Sequence, residues 1–312
     1  MHVLVTGGAG FIGSNTVDHI LAAGHRVRAL DDLSSGHLRN LDAARNSGDR
    51  FSFAEADIRD ADAVTAAMDG ITHVLHLAAQ VFVPTSIEQP VFSGAVNIAG
   101  FLNVLDAARR AGVQRFVYAS SAAVYGMPDA LPVRESTPPS ALSPYALEKL
   151  VNDQYAALFG TLYGVSCCGL RYFNVYGPRQ DPRSAYSGVI SKFCERVAAQ
   201  APVTIFGDGK QTRDFVSVRD VARANLAALQ SETSGVVNVA TGSSVDLLEL
   251  LQTLAALVGR TIAPEFAPGR SGEVRHSAVD PARMRDELGL TALTSLHDGL
   301  RTLLHSLDVE TV

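Results

Sequence analysis

A tyrosine and a lysine at the start of a predicted helix are spaced for acid–base chemistry. Residues 143–149 read Ser-Pro-Tyr-Ala-Leu-Glu-Lys, and a helix with Ser143 as its N-cap places Tyr145 and Lys149 one turn apart on one face. A nearby ammonium can lower a tyrosine pKa from about 10 by about 1–3 units. The pair then forms a general base. The alternative is a tyrosine that packs on a lysine stem.

Two serines follow a predicted strand at residues 116–119. Ser120 and Ser121 leave this strand at its carboxyl end, the edge where open α/β sheets bind ligands. Ser121 could hydrogen-bond a substrate hydroxyl and help to move its proton, whereas ordinary turn residues are the alternative. We therefore expect Ser121, Tyr145 and Lys149 to form one catalytic group.

The segment 7–13 is rich in glycine and lies between a predicted strand and a predicted helix. Gly7 allows a tight turn, Gly10 lets the backbone approach a pyrophosphate, and Gly13 allows the helix to pack closely on the strand. The N-terminus of that helix then faces the phosphates. This context predicts a dinucleotide-binding site.

Acidic residues follow the next two predicted strands. Asp31 ends the second strand, 18 residues after Gly13, where a carboxylate can accept both hydroxyls of an adenosine ribose. A 2′-phosphate about 4 Å away would be repelled by about 1–4 kcal/mol, which favours NAD over NADP. Asp32 shares this role or is solvated. Asp57 and Ile58 follow the third strand, where they could contact the edge of the adenine base. The alternative at Asp57 is an exposed loop aspartate.

Short β-branched segments alternate with helical periods in the first half of the chain. The predicted strands are 3–5, 27–30, 51–54, 73–77 and 116–119, and the predicted helices include 13–23 and 98–111. Apolar strands separated by helices predict a parallel sheet that is covered on both faces.

The pattern changes beyond about residue 170. Gly, Pro and Arg cluster at 176–179 and 206–210, and an isolated strand is predicted at 236–239. These features predict a smaller, loop-rich second lobe. The predicted division is a first domain at 1–170, with 215–240 returning to it, and a lobe at 171–214 and 241–312. The predicted fold class is α/β, a doubly wound parallel sheet (Rossmann) with a smaller, mixed α/β substrate-binding lobe.

The composition excludes several classes of protein. The 312 residues are 47% hydrophobic and 19% charged, unlike a disordered, collagenous or coiled-coil chain. The net charge of −6 gives no basic surface for duplex nucleic acid, so none is expected as a partner. The N-terminus resembles no cleavable leader and no run of 18 apolar residues occurs, so no membrane partner is expected and the predicted location is the cytoplasm.

The cysteines and histidines do not suggest a metal site. Cys167 and Cys168 are adjacent and Cys194 stands apart, so neither a metal-ligand spacing nor a disulfide framework is predicted. His76 lies in an apolar strand, without a second ligand at helical or hairpin spacing. We expect a core or cofactor-adjacent histidine there, and no metal.

Taken together, these residues resemble the extended short-chain dehydrogenase/reductase family, in its branch of NAD-dependent nucleotide-sugar epimerases and dehydratases. Beyond the glycine segment and Tyr-x-x-x-Lys, the likeness rests on the segments 76–80, 115–121, 171–178 and 212–216. It covers essentially the whole chain. It implies NAD as the cofactor and a UDP-sugar as the substrate.

The resemblance also implies which residues meet each ligand. Tyr145 would abstract the sugar hydroxyl proton with support from Ser121, and Lys149 would hold the nicotinamide ribose. The implied cofactor-binding residues are Gly7, Gly10, Phe11, Ile12, Gly13, Asp31, Asp32, Asp57, Ile58, Leu77, Ala78, Ala79, Gln80, Asn97, Tyr145, Lys149 and Tyr172. The implied substrate-binding residues are Val83, Ser121, Tyr145, Asn174, Gln180, Val189, Ile205, Phe206, Arg213, Arg270, Glu273 and Ser277. In this set Asn174, Arg213 and Arg270 would grip the diphosphate, Phe206 would pack on the uracil and Glu273 would accept ribose hydroxyls.

The residues after Ser121 separate two reactions of this family. Dehydratases carry an Asp-Glu pair, or at least a Glu, at these positions, whereas this chain has Ala122 and Ala123, which cannot transfer protons. Elimination is therefore disfavoured. The expected chemistry is oxidation of C4 to a 4-keto sugar and return of the hydride to the opposite face, with NAD regenerated. The alternative enzymes are a net oxidoreductase and a dehydratase. A non-catalytic NAD-binding protein is a further alternative, and the intact Ser121, Tyr145 and Lys149 argue against it.

Among 4-epimerases of UDP-hexoses, the chain is most similar to those acting on UDP-N-acetylhexosamines. Ser277 matches a position where a bulky Tyr in narrower relatives limits the space near C2, so a serine leaves room for an acetamido group. The alternative is a small packing residue in an enzyme for UDP-glucose and UDP-galactose, and activity on both pairs is expected. UDP-glucuronate is less favoured because its epimerases often carry Thr in place of Asn174. The resemblance also implies a homodimer, through the helix at 98–111 and the Tyr145 helix.

Overall fold

The computed structural model describes residues 1–181, 188–269 and 274–312. Its strands are β1 (His2–Thr6), β2 (Arg26–Asp31), β3 (Phe51–Glu55), β4 (His73–His76), β5 (Arg115–Ser121), β6 (Cys167–Tyr172), β7 (Asn174–Tyr176), β8 (Val203–Phe206), β9 (Thr212–Ser217), β10 (Gly235–Val239), β11 (Ser244–Asp246) and β12 (Pro264–Ala267). Its α-helices are α1 (Phe11–Ala22), α2 (Asp42–Arg45), α3 (Ala61–Ala67), α4 (Val83–Glu88), α5 (Pro90–Gly94), α6 (Phe101–Ala111), α7 (Pro144–Tyr163), α8 (Val189–Ala198), α9 (Val218–Gln230), α10 (Leu247–Leu257), α11 (Ala282–Leu288) and α12 (Leu296–His305).

Seven parallel strands form the central sheet, in the order β10-β6-β5-β4-β1-β2-β3. The strand order reverses at β1, which pairs with β2 on one side and with β4 on the other. A crevice opens at the carboxyl ends of the strands where the order reverses, and ligands of open α/β sheets bind in it. The predicted doubly wound parallel sheet is therefore confirmed.

All five predicted strands of the first half are present, within two residues at each end. The pattern did not identify β6, although every residue of this strand is buried. Its sequence, Cys-Cys-Gly-Leu-Arg-Tyr, contains a glycine and a charged side chain and no β-branched residue. Strand propensity is therefore weak there, and the pairing with β5 and β10 determines the structure.

The helix predicted at 98–111 is longer in the structure. A π-helical segment, Ala95–Gly100, joins α5 to α6, so that the helical chain runs from Pro90 to Ala111. By length and composition this helix could cross a membrane, but a core helix passes the same test. Phe101, Val104 and Leu105 are fully buried against the sheet, and the expectation of no membrane partner stays a prediction.

The second lobe has more regular structure than the loop-rich lobe that the sequence predicted. Its sheets have the strand orders β11-β9-β7 and β12-β8. Helices α8, α10 and α12 enclose a separate apolar cluster that includes Phe193, Leu250, Leu254 and Leu300. Clusters of Gly, Pro and Arg obscured these helices because they dominate the connecting segments. After this lobe begins, the chain returns to the central sheet as β10, beside β6.

Candidate active site

The glycine segment forms the turn between β1 and α1. Gly7 has a φ of +68°, which favours glycine. A Cβ atom on Gly13 would lie 2.0 Å from the carbonyl oxygen of Gly7, so only glycine fits there. The amide of Gly10 donates to the same carbonyl at 3.1 Å. No side chain caps α1, so the first-turn amides of Phe11 and Ile12 remain directed at an incoming anion. This turn fits a pyrophosphate.

Asp31 lies at the carboxyl end of β2 beside this turn. Its carboxylate accepts hydrogen bonds from the backbone amides of Ala9 and Leu33, both at 2.9 Å, and the residue is only 6% exposed. Burial raises the pKa of Asp31 against these hydrogen bonds. Each carboxylate oxygen keeps a second lone pair, which a ribose hydroxyl can use. Asp32 instead accepts from the amide and hydroxyl of Ser34 at the surface.

Asp57 and Ile58 follow β3. A hydrogen bond from Arg59 lowers the pKa of Asp57, whose carboxylate forms a 2.5 Å ion pair with that guanidinium. The pair is partly exposed, as the alternative of a surface loop aspartate expects. Ile58 is 4% exposed and packs in the core, and its carbonyl accepts from Asn103 at 3.0 Å. The side chain of Ile58 is therefore a packing residue, which leaves its backbone amide for a cofactor.

The segment 77–80 brings the end of β4 against the glycine turn. Thr6 accepts hydrogen bonds from the amides of Leu77 and Ala78 through its hydroxyl, each at 3.2 Å. A Cβ atom on Gly7 would lie 2.7 Å from the amide nitrogen of Ala78. Leu77, Ala78, Ala79 and Gln80 thus line the same crevice edge as the first glycine, because β1 and β4 are neighbours.

His76 is a buried histidine of the core. Its Nδ1 lies 2.8 Å from the Thr6 hydroxyl, and its ring packs against Phe101 and Phe116, which also contact each other. Burial lowers the pKa of His76 to about 3, so the ring is neutral. Among the described residues, no group of three or more His, Cys, Asp or Glu side chains could hold a metal ion.

The predicted catalytic residues come together where β5 ends against α7. The helix begins at Pro144, and the hydroxyl of Ser143 accepts from the Ala146 amide at 3.2 Å. Tyr145 lies close enough to Ser121 for the serine side chain to act on the tyrosine pKa, in the direction that lowers it. The Nζ atom of Lys149 lies 5.9 Å from the centre of the Tyr145 ring and donates to the carbonyl of Ala119 at 3.0 Å. The alternative of a tyrosine merely packed on a lysine stem leaves the Ser121 contact unexplained.

The expected lowering of the Tyr145 pKa by Lys149 is wrong for the polypeptide by itself. Burial raises this pKa, the hydrogen bond from Ser121 opposes the rise, and the charge of Glu148 adds to it. Burial also lowers the pKa of Lys149 to about 8. Desolvation is the largest influence on this tyrosine, and Lys149 is not among the groups that offset it. A positively charged ring bound beside the Tyr145 hydroxyl would lower the Tyr145 pKa and so favour the phenolate.

Several residues around this group were missed by the sequence analysis. The buried carboxylate of Glu148 accepts from Ser93 at 2.8 Å and from Asn97 at 2.6 Å. Below it, Asp153 and Arg171 form a buried ion pair at 2.9 Å. Glu148 shares a helical face with the buried Asn152 and Ala156, four and eight residues later, and that spacing could have identified it.

Two predicted cofactor-binding residues have their side chains directed elsewhere. Asn97 is 2% exposed, and its amide group bonds the backbone of Gln80 twice, each at 2.8 Å. It therefore supports the segment 77–80 from behind. The hydroxyl of Tyr172 donates to Asn225 at 2.6 Å, inside the core between β6 and α9. Direct contact of either side chain with a cofactor stays a prediction.

The predicted substrate residues lie on several segments of the second lobe and its border. Asn174 donates to the Asp214 carbonyl at 3.0 Å, and Gln180 donates to the Val175 carbonyl at 3.4 Å. Ile205 is fully buried in the lobe, so its side chain packs there and does not line a pocket. Val83 and Val189 begin α4 and α8. The carbonyl of Phe206 accepts from Gln211 at 2.8 Å. Two residues bond the Thr212 carbonyl: the side chain of Arg213 at 2.8 Å and the backbone amide of Ser277 at 3.2 Å. Arg270 and Glu273 lie outside the described residues.

Comparison with known proteins identifies the class to which this fold and site belong. Residues 3–240 match the model of the NAD dependent epimerase/dehydratase family, and the chain belongs to that family. It is 43% identical over 303 residues to the UDP-glucose 4-epimerase of Mycolicibacterium smegmatis, with 96% of each chain covered. The family predicted from the motifs is confirmed, and so is NAD as the cofactor of that family.

Two solved structures are similar over nearly the whole chain. The UDP-glucose 4-epimerase of Thermus thermophilus in complex with NAD superposes with a TM-score of 0.89 at 39% identity, covering 99% of both chains. The UDP-N-acetylglucosamine 4-epimerase of Methanobrevibacter ruminantium, in complex with UDP-N-acetylmuramic acid, has a TM-score of 0.92 at 33% identity, covering 98% of this chain and 97% of that one.

Proposed function

We propose that this protein interconverts the C4 epimers of UDP-hexoses, with NAD as a tightly held cofactor. The observation that supports this function is the placement of Ser121, Tyr145 and Lys149 at the carboxyl end of β5. The glycine turn opens at the same edge of the sheet, because β4 lies between β5 and β1. Membership of the family and the similarity to 4-epimerases support an isomerase.

The residues of this chain handle the proton and orient the ligands. Bound NAD supplies the oxidant for C4 and the reductant for the resulting keto sugar. Tyr145, as the phenolate, takes the proton of the sugar hydroxyl, and Ser121 stabilises that proton transfer through its hydrogen bond. Lys149 supplies positive charge beside the phenol from a buried position. Asp31 and the glycine turn hold the adenosine and the pyrophosphate.

The residues that follow Ser121 favour epimerisation over elimination. Ala122 and Ala123 open a short 3-10 helix directly after it, and neither side chain can donate or accept a proton. Asn174, Gln180 and Arg213 are proposed to hold the uridine diphosphate while the keto sugar rotates within the site. Because most binding energy then lies in the nucleotide, the sugar stays free to present either face.

The proposal is tested by incubating the purified protein with UDP-glucose, UDP-N-acetylglucosamine or UDP-glucuronate, without added NADH. Chromatography is expected to resolve the C4 epimer of each accepted substrate, with the cofactor regenerated. Failure to form any epimer would exclude this function. A product that is 18 Da lighter would indicate a dehydratase, because it corresponds to the loss of water. In a parallel incubation with added NADH, net consumption of that NADH would indicate an oxidoreductase.

Acceptance of N-acetylated sugars is proposed to depend on the small side chain of Ser277. Its backbone is fixed on both sides, because its amide donates to Thr212 at 3.2 Å and its carbonyl accepts from Ser244 at 2.6 Å. Ser277→Tyr should lower kcat/KM for UDP-N-acetylglucosamine by about 10- to 100-fold while UDP-glucose turnover is largely retained. Ser277→Ala keeps the side chain small and should change neither. Equal losses on both substrates in the Tyr variant would show that Ser277 does not determine this specificity.

A homodimer is proposed because α7 presents apolar side chains to solvent. Leu147, Leu158 and Leu162 are each more than half exposed, and Val91 and Phe92 are exposed on the neighbouring α5. A second copy of this chain would bury both sets. Light scattering should give twice the chain mass, and Leu158→Asp should give the monomer mass. The matched control is Phe266→Asp, because the Phe266 side chain on β12 is exposed to a similar degree as that of Leu158. A monomeric parent protein would refute the proposal.

A further inference from the structure

The buried carboxylate of Glu148 is the feature next to the catalytic group that the proposed function leaves unused. Glu148 is 4% exposed and stands between Tyr145 and Lys149 on α7. A carboxylate is rarely buried unless it is hydrogen-bonded or paired. Its Oε2 atom accepts the Ser93 hydroxyl at 2.8 Å and the Asn97 amide at 2.6 Å, and both donors are neutral.

These hydrogen bonds connect two parts of the site. Asn97 lies in the π-helical segment Ala95–Gly100, and the same side chain bonds the amide and the carbonyl of Gln80. The segment 77–80 in turn lies against Gly7. A continuous chain of hydrogen bonds therefore runs from the catalytic helix to the edge of the cofactor crevice, and π-helical turns occur frequently at functional sites.

The charged and titratable groups of this region come from four elements. Tyr145, Lys149 and Asp153 lie on α7, His76 on β4 is a histidine whose pKa Lys149 helps to lower, and Tyr118 on β5 and Arg171 on β6 both bond Asp153. The segments that bond Glu148 directly, α5 and the π-helical segment, contribute the neutral Ser93 and Asn97. Arg171 is paired with Asp153 at 2.9 Å, and His76 is neutral. Both described hydrogen-bond donors to Glu148 are therefore neutral, and no described hydrogen bond joins this carboxylate to a cation. Its negative charge acts on Tyr145 and raises the tyrosine pKa.

We propose that Glu148 is a positioning residue with two roles: it anchors Asn97 and thereby the cofactor-binding segment 77–80, and its negative charge sets the pH range in which the catalytic pair works. This inference rests on the proposed function. The negative charge disfavours the Tyr145 phenolate and favours the Lys149 ammonium. Removing the charge therefore lowers the pKa of both groups.

Glu148→Gln separates charge from hydrogen bonding. The amide oxygen of glutamine can accept both Ser93 and Asn97 in the place of Oε2, while the charge is lost. In holoenzyme, both limbs of the kcat/KM profile should move to lower pH by about one unit. The acid limb moves because the phenolate forms at lower pH, and the alkaline limb moves because the ammonium loses its proton at lower pH. Glu88→Gln makes the same change at the exposed end of α4 and should leave the profile in place.

Further variants keep the result decisive. Glu148→Asp retains the charge and should retain the profile. Glu148→Ala, which cannot overpack, should show the same acid shift and also retain less NAD after gel filtration, because Asn97 loses its anchor. An unshifted profile in folded Glu148→Gln or Glu148→Ala protein, with activity lowered equally at every pH, would reduce Glu148 to a structural residue and overturn the inference.

A second measurement separates this inference from the proposed function. The ultraviolet absorbance of the Tyr145 phenolate, taken as the difference between each holoenzyme and its Tyr145→Phe counterpart, does not depend on turnover. It should appear at lower pH in Glu148→Gln than in the parent protein. If the parent forms no epimer yet this titration shifts, the proposed function fails and the role of the Glu148 charge stands. If the parent is active and the titration does not shift, the proposed function stands and the role of the Glu148 charge is overturned.

Discussion

Replacing Tyr145 by phenylalanine should lower epimerase turnover by a factor of about 10²–10⁴, the range that positioned proton transfer contributes. Tyr145 is the titratable side chain on whose pKa Ser121, at the end of β5, acts. The neighbouring Lys149 donates to the Ala119 carbonyl and is fixed by it. His76, a buried histidine whose pKa Lys149 helps to lower, is hydrogen-bonded to Thr6 and neutral. Neither Lys149 nor His76 is therefore placed to replace the phenol.

The loss should be confined to chemistry. The phenyl ring retains the packing of Tyr145, so the NAD content per chain and the thermal unfolding temperature should stay close to those of the parent. Tyr163→Phe is the matched control: this tyrosine ends α7 in contact with Phe159 and Arg109, 54% exposed, and its hydroxyl should be dispensable. Turnover of the Tyr145 variant within about threefold of the parent would remove this phenol from the reaction, because positioned proton transfer contributes far more.

Gly13→Ala should abolish retention of NAD and destabilise the fold. A Cβ atom at this position would lie 2.0 Å from the Gly7 carbonyl oxygen and 2.8 Å from its carbonyl carbon. Because both are backbone atoms, no side-chain rotation relieves the overlap, and the turn and α1 must separate. The free energy of unfolding should fall by about 1–3 kcal/mol, as for other overpacked sites. The NAD content after gel filtration should fall to a small fraction of that of the parent protein.

The control for this change is Gly160→Ala in α7. There the added Cβ atom would meet only the Val165 carbonyl, at 3.5 Å, which is ordinary contact. Alanine in a helix interior is more stable than glycine by about 0.5–1 kcal/mol, so unfolding should become harder and NAD should be retained. An NAD content in Gly13→Ala equal to that of the control would mean that the turn does not carry the pyrophosphate.

The sequence located the site through short spacings. A strand, a glycine turn and a helix follow one another within about 20 residues, and Tyr145 and Lys149 share one helical turn. Local periodicity determines such features, so they can be recognised without the fold. The same is true of the first five strands of the sheet, whose apolar residues alternate with helical segments.

Properties that depend on burial were harder to predict. The resemblance places Ile58 and Ile205 at ligands, whereas their side chains pack in two different cores. Contact of either residue with a ligand through its backbone stays a prediction. The pKa of Tyr145 was expected to fall, yet desolvation raises it. Both outcomes depend on which atoms surround a residue, and those atoms come from distant parts of the chain. Spacing along one helix contains no information about that environment.

By itself the sequence determined the class of fold, the family and the residue types at the catalytic positions, because each is carried by motifs of fewer than about ten residues at fixed offsets. Only the tertiary structure decided that Glu148 is buried on Ser93 and Asn97, and that β6 pairs with β5 inside the sheet. These contacts join segments about 50 or more residues apart. Solvent exclusion and hydrogen bonding act on spatial neighbours, so their effects appear only after the chain has folded.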